Sequence, residues 1–261
     1  MNGTDERTKL PVTVGGLVDL AFIAYVERFW LYALLVVAAF AIETIVEFAI
    51  PSAKLESPQG QIKLLILDYL STALDAYVIA AVALGIGARL AGERPTWPVL
   101  MAGALERWLP VFLVGLVAYL MQWLLNGFDG FGTLPEPPWI AFFTAPVAWL
   151  IFGVLAIAAP MAALSGEPRG GAMFAGISRA FSFSSRRANL GRLALVSFAT
   201  IVPGLLQHLW LQWLLAHHVA RAPFLSAAPL DALFVAPLAA LQTVFALDFA
   251  RRSGSLGTPR R

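Results

Sequence analysis

The chain contains no cysteine, which excludes disulfide bonds, thiolate metal sites and cysteine nucleophiles together. Histidine occurs only at His208, His217 and His218, and lysine only at Lys9, Lys54 and Lys63. Charge of either sign is scarce: 13% of the 261 residues are Asp, Glu, Lys or Arg, against about a quarter in an ordinary soluble domain. The formal net charge is +2, too small to support a nucleic-acid partner. No cleavable signal peptide is expected either. The first long apolar run begins near Phe29, too late and too long for a signal core, and an acidic amphipathic stretch precedes it.

What is abundant is apolar surface. Hydrophobic residues make up 59% of the chain, more than the remaining polar groups could shield from water, so lipid is the solvent that removes the conflict. A bilayer core of about 30 Å needs roughly 20 apolar residues in a helix. Six stretches meet that need, near Phe29–Ile50, Leu64–Leu90, Leu109–Leu125, Trp139–Leu164, Leu193–Ala216 and Pro229–Phe249. They are too long and too continuously apolar for barrel strands, and unpaired backbone groups in lipid leave helices as the alternative. If all six cross, basic residues sort by side. Fifteen fall on one side, from Arg7 and Lys9 to Arg260 and Arg261, and only Lys54, Lys63 and Arg221 on the other. That bias places both termini in the cytoplasm. The Arg-rich, Ala- and Leu-rich composition points to a bacterial inner membrane.

An internal repeat of about 80 residues is also legible. Ala21-Phe22 followed by Arg28 recurs as Ala180-Phe181 followed by Arg187, 159 residues later, and Glu27-Arg28-Phe29 is echoed by Glu106-Arg107-Trp108, 79 residues on. Leu90-Ala91-Gly92-Glu93-Arg94-Pro95 is likewise echoed by Leu164-Ser165-Gly166-Glu167-Pro168-Arg169. The expected fold is an all-α membrane protein with six transmembrane helices, built as three repeats of an amphipathic interfacial helix plus a helical hairpin. One domain would span residues 1–261, with repeats near 11–90, 91–164 and 165–252 and tails at 1–10 and 253–261. Helical spacing assigns apolar stripes to the three interfacial helices: Leu17, Leu20, Ala21 and Ala24; Leu100, Met101, Ala104, Leu105 and Trp108; and Met173, Ile177, Ala180, Phe181 and Ser184. Such helices lie in the membrane surface. Arg28, Arg107, Arg179, Arg186 and Arg187 are then candidate contacts for lipid phosphate.

The segments Leu20-Ala21-Phe22 with Arg28-Phe29-Trp30, and Ile177-Ser178-Arg179-Ala180-Phe181 with Arg187-Ala188-Asn189, carry a family resemblance. The chain resembles the membrane domain of bacterial glycerophosphoryl diester phosphodiesterases and the related YciC-type inner-membrane proteins. The resemblance implies a membrane module and no catalytic residue. Enzymatic members carry a separate soluble barrel, for which these residues leave no room.

Four carboxylates in the first hairpin are the most informative polar groups. Glu43 and Glu47 share one face of the first span, and Asp68 and Asp75 share one face of the second. Acids at membrane depth usually face a partner or a wet cavity. They can be read as a proton or cation site, joined by His208 and Gln207 of the fifth span and Gln122 of the third. The preferred reading is structural, with Glu47 and Asp68 reaching the outer interface and the others protonated or bonded to Ser71, Thr72 or backbone. The pair His217-His218 points in two directions on a helix and is expected to be interfacial. Gly85-Ile86-Gly87 follows no strand and lacks the third glycine of a nucleotide fingerprint, so close helix packing is expected there. Pro160, Pro203 and Pro237 are expected to kink their spans. No cofactor, metal site or catalytic residue is assigned. The function expected is a non-enzymatic membrane module that interacts with the lipid bilayer, a partner membrane protein or a soluble enzyme. A small transporter or channel using the acidic hairpin is the alternative, and a lipid-modifying membrane enzyme a third.

Overall fold

A computed structural model describes residues 13–50, 57–125, 138–200, 202, 206 and 223–252. Among them the secondary structure is helical, with no strand. The helices are α1 (Val14–Val26), α2 (Phe29–Ala49), α3 (Pro58–Leu90), α4 (Trp97–Leu125), α5 (Pro138–Ala163) and α6 (Arg169–Ser184). A 3-10 turn (Arg187–Asn189) leads into α7, described over 190–200, and α8 (Pro223–Arg252) closes the chain. Four helical segments are long and apolar enough to cross a membrane: Phe29–Ala49, Pro58–Leu90, Trp97–Met121 and Leu233–Arg252. Leu150–Ala163 is a shorter apolar helix, and the fifth apolar run is described only as far as α7. Pro203, His217 and His218 lie outside the described residues. Helical structure continues through Pro160 and Pro237.

The helix ends follow local chemistry. The Thr13 hydroxyl accepts from the Gly16 amide at 3.2 Å and starts α1, and Ser57 does the same for α3 through Gly60 at 3.1 Å, with Pro58 in the first helical position. Gly92 ends α3 with φ 78°, a backbone angle that side chains disfavour. Between α1 and α2 the chain bends at Glu27-Arg28, and between α6 and α7 it bends at Ser185–Asn189. The second lead-in segment behaves differently: α4 runs unbroken from Trp97 into the apolar run, with Pro110 inside it. Its first half is tied down on both sides. The Trp108 indole donates to the Ala73 carbonyl at 2.6 Å, and the Arg107 guanidinium donates to the Glu167 carbonyl at 2.8 Å. These bonds hold the segment in line with the rest of α4.

Helix α8 is the centre of the bundle and packs against α1, α2, α3 and α5. Ala239, Ala240, Val244, Phe245 and Ala246 are buried along it. Helices α3 to α6 pack in chain order, each against the next. The lead-in segments share one placement. Helix α1 packs on α8, the first half of α4 on α3, and α6 on α5. Each therefore rests on a helix that returns towards the arginine-rich end.

The expected stripes are met in part. Leu17, Ala21 and Ala24 are buried, with Leu20 partly so, as expected for α1. In α4, Leu100 and Ala104 are buried but Leu105 is exposed. Helix α6 is rotated from the expected face. Ala172, Gly176, Ala180 and Phe183 are buried, and Phe181 is 57% exposed. The reason is close approach: a Cβ on Gly176 would lie 2.7 Å from the Ala158 carbonyl oxygen and 2.8 Å from the Ala162 nitrogen. Small residues therefore select the contact face. Gly85 and Gly87 serve the expected role, since a Cβ there would strike the Tyr32 hydroxyl or the Leu164 side chain.

Gly176→Ala should destabilise the protein by roughly 1–3 kcal/mol through overpacking against backbone, although alanine is the better helix former. Gly15→Ala, with nothing within 4 Å of the new Cβ, should be neutral or mildly stabilising. Thermal unfolding in detergent compares the two. Equal stability of Gly176→Ala and the parent would show that α5 and α6 do not pack this closely.

Candidate functional site

The acidic hairpin is distributed along the α2–α3 contact. Glu47 is buried near the end of α2, and Glu43, one turn earlier, is half-buried. The Lys63 ammonium donates to the Glu47 and Ile50 carbonyls, at 3.0 and 3.2 Å. It thus caps α2 and places a cation beside the Glu47 region. Asp68 accepts a bond from the Tyr119 hydroxyl of α4 at 3.2 Å, and Thr72 bonds back to the Asp68 carbonyl rather than to a carboxylate. Asp75 is half-buried on the same helix. Among the described residues no group of three His, Asp or Glu side chains is placed to hold a metal ion. His208, Gln207 and the side chain of Gln122 lie outside the described residues.

A second set of polar contacts lies at the arginine-rich end, where each outgoing helix meets the end of the helix that returns beside it. Glu27, in the bend between α1 and α2, accepts two bonds from Arg89 near the end of α3, at 2.5 and 2.6 Å. Arg107, within α4, donates to the Glu167 carbonyl just after α5. Arg192, at the start of α7, lies 3.5 Å from Asp248 near the end of α8. The first two pairs are 62 and 60 residues apart, and the third has a comparable span. Each pair closes the mouth of one helical hairpin.

The third closure is the most buried and the one that sequence reasoning missed. Asp248 is 3% exposed and Arg192 7%. Arg252 also holds Asp248, at 3.0 Å, from the next turn of α8. Asn189 donates to the Phe183 carbonyl at 3.1 Å, capping α6, and accepts from Arg192 at 3.4 Å. The Arg186 guanidinium lies 5.6 Å from the centre of the Phe249 ring, which Phe183 meets edge-on at 4.9 Å. A signal was present in the sequence: Asp248 and Arg252 have the i, i+4 spacing of a helical ion pair. What spacing could not supply was Arg192, brought in from another helix.

Of the candidate phosphate contacts, Arg186 and Arg187 are exposed, and Arg28, Arg107 and Arg179 are half-buried. Phe22 is 66% exposed while its neighbour Ala21 is buried, and Phe181 and Ala180 repeat that arrangement. No protein-family model matches the chain, and neither curated proteins nor solved structures provide a match.

Asp248→Ala would leave Arg192 buried without its carboxylate. It should cost about 3 kcal/mol or more of stability, read as a fall in the unfolding midpoint. Glu27 is half-exposed, and Glu27→Gln should cost on the order of 1 kcal/mol or less. The bond from Arg89 holds the Glu27 carboxyl below its usual range. Because its folded value is depressed, the pair stabilises the protein fully above the ordinary glutamate range. That contribution fades as pH falls through the depressed value. Unfolding midpoints measured down to about pH 3 should therefore show a smaller acid-induced loss in Glu27→Gln than in the parent. Parallel curves would contradict the pairing.

Proposed function

We propose that this chain is a non-enzymatic, multi-pass module of a bacterial inner membrane. It is built as three repeats with six spans and both termini in the cytoplasm. It acts through contacts with lipids or with partner membrane proteins. The observation that carries the reading is the double-sided character of α1 and α6. On each, a small residue (Ala21 or Ala180) docks onto the bundle while the next residue (Phe22 or Phe181) projects outward. Val18, Ile23 and Val26 on α1 and Phe174 on α6 extend the outward apolar surface. A helix with apolar residues on both faces needs cover on both, and acyl chains or another membrane protein provide it. Basic residues follow each helix, Arg28 after α1 and Arg186-Arg187 after α6, at the level expected for lipid headgroups.

Two features support the repeat. Each lead-in segment rests on a returning helix, and the first closes onto the last, α1 on α8, as a cyclic arrangement of three units requires. Each hairpin is closed at its mouth by one polar pair. The resemblance to the phosphodiesterase membrane domain and the YciC-type proteins agrees with this reading. The acidic hairpin favours it over a transporter, because Asp68 is bonded to Tyr119 and the Lys63 ammonium is engaged by the Glu47 and Ile50 backbone carbonyls.

The absence of native cysteine makes single-cysteine spin labelling clean. Labels at Phe22→Cys and Phe181→Cys in reconstituted protein should collide with oxygen dissolved in lipid more than with a water-soluble nickel chelate, at shallow depth. Labels at Ala21→Cys and Ala180→Cys should be shielded from both. Preferential access of the chelate to positions 22 and 181 would refute the lipid-facing reading.

A further inference from the structure

The three hairpin mouths look alike in geometry but differ in charge. At the first, Glu27 and Glu93 accompany Arg28, Arg89 and Arg94; at the second, Glu106 and Glu167 accompany Arg107 and Arg169. At the third, formed by the end of α6, the start of α7 and the end of α8, the bases are Arg179, Arg186, Arg187, Arg192, Arg251 and Arg252. Asp248 is the acid there among the described residues. Counting Asp19 as well, from α1 packed on α8, leaves two carboxylates against six guanidiniums. Nearly all the uncompensated positive charge of the described residues is therefore at one corner.

The internal work of that corner does not use all of its arginines. Arg192 and Arg252 hold Asp248, whereas Arg186, Arg187 and Arg251 are exposed at the surface. Arg186 is steadied by the Phe249 ring, so part of the patch is held in position. Apolar side chains border it, with Phe181 and Leu190 both exposed. Guanidinium groups match phosphate oxygens in charge and fork geometry. Exposed apolar side chains beside them suit the acyl chains below a headgroup, which neither a soluble acidic peptide nor free phosphate would supply.

We infer that the corner formed by Arg186, Arg187 and Arg251 binds the headgroup of an anionic phospholipid, with Phe181 and Leu190 against its acyl chains. The inference rests on the lipid-facing reading above and adds selectivity to it. The site prefers anionic over zwitterionic lipid, and the other two hairpin mouths, with one surplus base at the first and none at the second, do not. Arg192 and Arg252 keep the corner folded and are not the headgroup contacts.

The test titrates the purified full chain in micelles with phosphatidylglycerol and with phosphatidylcholine of the same acyl length. Bound lipid is counted by native mass spectrometry. The parent should prefer phosphatidylglycerol by roughly tenfold at low salt. Arg187→Gln/Arg251→Gln, which leaves the Asp248 contacts intact, should lose most of that preference. Arg94→Gln/Arg169→Gln, at the first and second mouths, should keep it. Equal binding of the two lipids by the parent would overturn the site. So would an equal loss in both variants, or complete displacement of phosphatidylglycerol by excess inorganic phosphate or a polyglutamate peptide. Spin labels at positions 22 and 181 in reconstituted protein report bilayer contact separately. Lost selectivity with lipid-exposed labels would refute this site and leave the proposed function standing.

Discussion

A charged side chain buried in an apolar bundle has to be paired, because neither protein interior nor hydrocarbon can solvate it. In this fold that requirement is met where it also does mechanical service, at the mouth of each helical hairpin. Glu27 with Arg89, Arg107 with the Glu167 carbonyl, and Arg192 with Asp248 each tie an outgoing helix, or the bend that leads into it, to the end of its neighbour. Elsewhere the helices meet through alanine, valine and phenylalanine, contacts that are strong in sum but weakly directional. The polar pairs are directional contacts at defined positions along that interface.

Within that frame, packing is governed by small residues more than by large ones. Gly176 lets α6 lie against the backbone of α5, and Gly85 makes room for the fully buried Tyr32. The large aromatic residues of the lead-in helices are correspondingly free to face outward. This inversion gives α1 and α6 their two apolar faces, and it is the basis for reading them as helices held between the bundle and the membrane. Helix α8, buried on nearly every side, is the element against which the first and last parts of the chain meet.

The charge distribution adds a second level. Three mouths of similar construction would bind lipid headgroups alike if their charges were alike. Two acids face three bases at the first and two face two at the second, whereas the third keeps a larger surplus of exposed guanidinium beside exposed phenylalanine and leucine.

Much of this was legible along the chain. Apolar run length is a local property, so the positions of α2 and α5 could be read almost to the residue, while α3 and α8 each begin six residues earlier than their apolar runs. The stripe of α1 was read correctly because its small and large apolar residues sit on separable faces. In α6 the same periodicity pointed to Phe181, since hydrophobicity does not say which apolar face meets protein and which meets its surroundings. The continuity of α4 was also out of reach, because the bonds from Arg107 and Trp108 that hold it straight come from distant segments. So was the burial of Asp248, whose i, i+4 partner Arg252 was visible while Arg192 was not. The linear order of residues determined which segments are helical and apolar and where charge is placed. Only the tertiary structure decided which faces touch and which charges pair, because those choices depend on close approach between helices far apart in the chain.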